Sequence, residues 1–162
     1  MDARMTSGQE SRFIAKLCEG VAEELRDRLE YRAKKTAQQY ESPIEAAFSL
    51  AWYAFKWMND SFFALLSSQV EVQAGGNNYR LDFALVDKPH NVYVAIELDG
   101  HEFHERTPEQ VDRRNQRDAD LQSAGWVVLH FSGRQILGDP FQCINNVYDA
   151  VIDCVNPPPR KG

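Results

Sequence analysis

Val92-Tyr93-Val94-Ala95-Ile96-Glu97-Leu98-Asp99-Gly100-His101 is the stretch whose reading decides the fold. Val92, Val94, Ile96 and Leu98 alternate against Tyr93, Ala95, Glu97 and Asp99, so residues 92–99 read as a strand. A period of two sets Glu97 and Asp99 on one face, roughly 7 Å apart along the strand. The chain then turns at Gly100 and presents His101 and, shortly after, His104. Acids at a strand end with imidazoles beyond them form a pattern suited to a metal ion.

Two further strands precede this one. Residues 69–74 lead through Gly75-Gly76-Asn77-Asn78 into 79–87, and Lys88-Pro89-His90-Asn91 leads on into 92–99. Both connections are hairpin-sized and rich in turn formers. Pairing Asp87 with Val92 across the second turn sets Asp82 opposite Glu97, roughly 5 Å apart. Asp82, Glu97 and Asp99 then share one patch. At roughly 7 Å and an effective dielectric near 20, each like-charged pair repels by about 2 kcal/mol. A bound divalent cation removes that cost, and proton uptake by one acid relieves it.

The rest of the chain reads as helices around these strands. Phe13, Ile14, Leu17, Cys18, Val21, Leu25 and Leu29 recur at helical spacing, so 10–39 is expected as an amphipathic helix. Ser42-Pro43, Thr107-Pro108 and Asp139-Pro140 each put a capping residue before a proline at the first helical position. These start helices at 43–58 (apolar nearly all round, hence central), 108–124 and 140–154, with a short helix expected over 60–67. Trp126-Val127-Val128-Leu129-His130-Phe131 is a nearly continuous apolar strand, as in a sheet covered on both faces. The order ααα-βββ-α-β-α implies an α/β fold in the broad sense, an α+β mixed sheet flanked by helices. Residues 10–155 form a single domain in this reading, with disordered segments at 1–9 and 156–162.

Composition narrows the class. At 162 residues and 43% hydrophobic, the chain suits one globular domain. No apolar run approaches a membrane span, and the N-terminus lacks a signal-peptide core, so a cytoplasmic location is expected. Cys18, Cys143 and Cys154 lack C-x-x-C spacing and read as buried free thiols. The net charge of −6 argues against a general nucleic-acid coat protein but does not exclude a nuclease, whose site must itself be acidic to hold cations. Local basic clusters exist at Arg26, Arg28, Arg32, Lys34 and Lys35, and at Arg113, Arg114 and Arg117. Solvated helix faces explain either cluster alone.

Each candidate residue has a plainer role beside the functional one. Solvated strand-end acids would account for Asp82, Glu97 or Asp99 singly. Glu45, at the third helical position after Ser42, and Gln110 after Thr107 fit capping boxes. His101 and His104 are loop histidines or a general acid or base beside a metal, with His104 favoured. His90 and His130 read as structural. In helix 108–124 the stripe Val111, Asn115, Asp118 and Leu121 points inward, flanked by Arg114 and Arg117; an Arg114–Asp118 pair is the alternative. Trp52, Trp57, Phe62 and Phe63 read as core.

An acid in a strand, a hairpin, a Glu-x-acid pair, then a helix and a further strand resemble the core of the PD-(D/E)xK, restriction-endonuclease-like superfamily. The sequence looks most like its very-short-patch repair endonuclease-like branch of small bacterial and phage proteins. The resemblance spans roughly residues 42–153. It rests on Ser42-Pro43-Ile44-Glu45, Tyr79-Arg80-Leu81-Asp82-Phe83, Ile96-Glu97-Leu98-Asp99-Gly100-His101, His104, Arg117-Asp118 and Gly125-Trp126-Val127-Val128-Leu129. It implies a metal-dependent endonuclease acting on DNA, with Asp82, Glu97 and Asp99 holding Mg²⁺ or Mn²⁺. Glu45 would stand near the metal as the helix-borne glutamate. His104 would serve the water, and His101, Arg113, Arg114 and Arg117 the nucleic acid. Asp99 stands where the superfamily has its lysine and cannot act as an ammonium. RNA is an alternative substrate and a homodimer one assembly. A catalytically inactive fold that binds nucleic acid or a partner is the competing function.

Overall fold

Gly75 and Gly76 carry φ of 57° and 80°, the left-handed pair that a two-residue hairpin loop requires and glycine adopts freely. They join β1 (Leu66–Ala74) to β2 (Asn77–Asp87), so the turn is two residues shorter than expected and Asn77 and Asn78 belong to the strand. A 3-10 turn at Lys88–His90, ending on Asn91 at φ 55°, leads to β3 (Val92–Asp99). Asp87 pairs with Val92, the register anticipated above. β3 then connects through α3 (Pro108–Ser123) to β4 (Val127–Ser132), which pairs parallel to β3, as a crossover helix permits. The sheet order is β1-β2-β3-β4, mixed as expected. The remaining helices are α1 (Ser7–Thr36), α2 (Pro43–Met58), α4 (Gly133–Gly138) and α5 (Pro140–Val155). The computed structural model describes residues 7–36, 38–58, 65–100 and 107–157.

The three proline-led helices begin where their caps predict. Thr107 and Gln110 form the reciprocal capping box, and Asp139 Oδ1 accepts from the Gln142 amide at 2.9 Å. Other boundaries differ. β1 starts at Leu66, so the end of the helix expected over 60–67 is strand; residues 60–64 lie outside the described residues. α4 was not anticipated; a second box, Ser132 with Gln135, starts it directly after β4. α1 runs from Ser7 to Thr36 rather than 10–39. Its stripe divides: Leu25, Leu29 and Ala33 are half-buried, whereas Phe13, Ile14, Leu17 and Val21 are 49–59% exposed. A helix of 30 residues extends about 45 Å, and one end of it outruns the layer beneath. Cys18 is exposed, not buried; Cys143 is buried and Cys154 half-buried. No helix among the described residues is long and apolar enough to cross a membrane.

Two apolar clusters cover the sheet. Phe48 and Trp52 of α2, Ile136 of α4 and Ile144 and Val147 of α5 pack on Phe83, Leu85, Val94, Ile96 and Phe131. On the other face Leu121 of α3 packs with Ala74, Leu81, Ala84 and Ala95, backed by Val70, Val72 and Tyr79. Residues two apart on a strand should share a face. Leu81 and Phe83 do not, and neither do Leu66 and Val70. The hairpin swaps faces at Gln69 and Asp82, which stand opposite each other in a register that resumes unchanged on either side. Gln69 makes the swap with φ 52°, a left-handed conformation that costs a non-glycine residue about 1–3 kcal/mol.

Candidate active site

Asp82 sits where the ladder opens on both sides. Between β1 and β2 the pairs Ser68↔Phe83 and Val70↔Leu81 are made, but Gln69↔Asp82 is not. Between β2 and β3 the ladder ends at Phe83↔Ile96, one pair short of Asp82↔Glu97. The Asp82 carboxylate takes over the bonding there: the Leu98 amide donates to its Oδ2 at 2.8 Å. A side chain thus takes a backbone amide where the ladder stops, and β2 is released to change faces between Leu81, on the α3 side, and Phe83, on the side of α2 and α5.

Glu45 comes from the first turn of α2. Its amide donates to Ser42 Oγ at 3.2 Å and the Ser42 hydroxyl donates to its Oε1 at 2.9 Å, which joins the cap to the carboxylate. The other oxygen, Oε2, accepts from Gln69 Nε2 at 3.1 Å. Glu45 is therefore buried by a cap on one side and the strained Gln69 on the other. Ile44 beside it lies against Gly133, 3.4 Å from where a Cβ would stand, so the start of α2 rests on the ends of β3 and β4.

Glu97 and Asp99 point to the α3 face, and α3 answers with cations. Arg117 Nη2 donates to Glu97 Oε1 at 2.5 Å and to the Arg80 carbonyl at 2.6 Å. Arg114 Nη1 lies 3.3 Å from Asp99 Oδ2. His130 of β4 stands between two acids, Nε2 3.0 Å from Asp118 Oδ2 and Nδ1 3.8 Å from Asp99 Oδ2. The Arg117 guanidinium also covers the Tyr79 ring, whose hydroxyl donates to Asp120 at 2.6 Å.

Burial sets the electrostatics. It pushes the Asp82 carboxyl above the usual carboxylate range; the Leu98 amide opposes the rise and the charge of Glu45 adds to it. Burial pushes Glu97 to about 8 against the pull of Arg117, and Asp82, Asp118 and Asp99 add to the rise. Asp82 is thus coupled to Glu45 on one side and Glu97 on the other. Acids raised by burial and by one another's charge mark this end of the sheet as a candidate functional site.

The structure brings Glu45, Asp82, Glu97 and Asp99 to one end of the sheet. Among the described residues no three His, Cys, Asp or Glu side chains stand grouped as a ready-made metal site. His101 and His104 lie outside the described residues. Arg113 is on the exposed face of α3, while Arg114 and Arg117 are turned inward. The inward stripe holds for Asp118 and Leu121 but not for Val111 and Asn115, which are exposed, and the face beneath α3 is acidic enough to draw the arginines in. Arg114 meets Asp99, and Asp118 meets His130. Two residues of the network escaped the reading of the sequence. His130 shares a strand face with Val128 and pairs in register with Glu97, a parity signal that was available. Gln69 gave no signal, because nothing in its neighbours marks a left-handed backbone.

The model of the REase_MTES_1575 family matches residues 63–151, which include β1 to β4 and all of the site except Glu45. No curated protein and no solved structure matches the chain.

Proposed function

The chain belongs to the REase_MTES_1575 family, a restriction-endonuclease-like family, and on that premise we propose that it is a metal-dependent endonuclease hydrolysing phosphodiester bonds of DNA. The observation that carries this reading is the meeting of buried Glu45 and Glu97 with half-buried Asp82 at the point where β2 leaves the ladder. Their oxygens fit a hard divalent cation, Mg²⁺ or Mn²⁺, by donor chemistry. Asp82 and Glu97 would hold it, with Asp99 joining from the same face of β3 and Glu45 acting directly or through water. When bound, such an ion supplies a water of lowered pKa and offsets charge at the phosphate.

The chain's own groups do the rest. The Leu98 amide orients Asp82, and Ser42 and Gln69 orient Glu45. Arg114 and Arg117 balance the acids on the α3 side. His104 would move the proton, Arg113 would position the DNA backbone, and His101 would contact phosphate. The Glu97-x-Asp99-Gly100 pattern supports a place near the very-short-patch repair endonuclease-like branch.

One observation favours a second reading, a catalytically inactive fold that binds nucleic acid or a partner. Glu97 and Asp99 already face guanidiniums, so the acids are compensated without a cation. Incubation with plasmid and single-stranded DNA in Mg²⁺ or Mn²⁺ tests the first reading, which requires cleavage that Asp82→Asn and Asp99→Asn abolish. Melting with and without Mn²⁺ separates the two. Ligand binding to the native state raises the melting temperature, and the inactive fold gains nothing.

A further inference from the structure

A second basic surface lies away from the acids, where the end of α1 meets α2. Arg28, Tyr31, Arg32 and Lys35 of α1 and Tyr53 of α2 line an open groove of about 630 Å³. The Arg32 guanidinium lies 5.1 Å over the Tyr53 ring, and Lys35 Nζ lies 5.0 Å over the Tyr31 ring. Both rings remain exposed, at 62% for Tyr31 and 41% for Tyr53. Residues 26–35 carry five cations against Asp27 and Glu30, a local +3 in a chain of net −6. Glu24 neutralises Arg28 at 2.7 Å. Asp27 also lines the groove.

We infer that this groove binds the sugar–phosphate backbone of a DNA strand that extends from the acid site. The charge sign selects an anion, and cations held over flat rings at fixed positions suit a repeating phosphate chain. The position fits the same occupant. Tyr53 follows Glu45 by eight residues on α2, about 12 Å along the axis, the rise of three to four base steps. This inference rests on the endonuclease reading for its choice of DNA.

The test is binding of a short fluorescently labelled DNA duplex by fluorescence anisotropy in EDTA, across a salt series. Arg32→Glu with Lys35→Glu should weaken binding at least about tenfold and reduce the salt slope by about 2. Arg12→Glu with Lys16→Glu, the same charge change at the other end of α1, should leave binding within about twofold. Melting temperatures of both variants confirm that each is folded. Equal weakening by the two pairs, no weakening by either, or no binding by the wild type overturns the groove. A groove variant that binds normally while the wild type cleaves plasmid defeats only this inference. Selective loss of binding without cleavage in any metal defeats only the endonuclease reading.

Discussion

Asp82 directs its carboxylate onto the backbone amide of Leu98, 2.8 Å away, at the position where the β2–β3 ladder has lost its next pair. One side chain therefore ends a ladder, permits the hairpin to swap faces and joins the acids of two layers. Its structural and chemical roles are separable. Asp82→Asn keeps an oxygen acceptor for Leu98 and should change unfolding free energy by less than about 1 kcal/mol. Asp82→Ala orphans the amide and should cost about 1–3 kcal/mol. Urea denaturation of the two variants measures the difference.

Glu97 makes stability depend on pH. Its folded pKa of about 8 lies above the ordinary carboxylate value, so the unfolded chain releases this proton first. The stability it contributes is fully present below the unfolded pKa and is lost as pH rises through about 8. Glu97→Gln fixes the neutral form. The melting temperature of this variant should gain on the wild type steadily from pH 5 toward 8. A difference that is flat with pH contradicts the raised pKa.

Arg117 holds positive charge against Glu97 and ties the Arg80 carbonyl to α3. Arg117→Met should cost about 1–3 kcal/mol in denaturant unfolding. If the guanidinium offsets the acids that a cation would otherwise offset, Mn²⁺ should raise the variant's melting temperature more than the wild type's. Equal shifts would show that arginine and metal do not compete.

Gly75 is fixed by its neighbour as well as by its φ. A Cβ there would stand 2.2 Å from Asp120 Cγ, and Asp120 is held by Tyr79, Asn77 and Gln116. Gly75→Ala should destabilise by about 2–3 kcal/mol, against about 1 kcal/mol for Gly76→Ala, which meets open space. Thermal melts of the two variants check the order.

Much of this fold was legible because its punctuation is local. Ser42-Pro43, Thr107-Pro108 and Asp139-Pro140 mark helix starts wherever the chain goes afterwards, and the turn after Asp87 fixes the β2–β3 register. The grouping of Asp82 with Glu97 followed from that register. Period two could not reveal the swap at Gln69 and Asp82, because alternation assumes that a strand keeps its faces. The inward side of α3 was misjudged for a related reason. Helical stripes are read as apolar-inward, but Arg114 and Arg117 face in because Asp99 and Glu97 wait beneath them. Exposure of Phe13 and Leu17 depends on where the neighbouring layer stops, which no local pattern encodes.

The most direct measurement is the rate of supercoiled plasmid nicking in Mn²⁺ by the wild type and by folded Asp82→Asn. The account predicts metal-dependent nicking that the substitution slows by at least about 100-fold, the scale expected when a metal-dependent catalytic acid is lost. Nicking at an equal rate by both proteins, or none by the wild type, would contradict it.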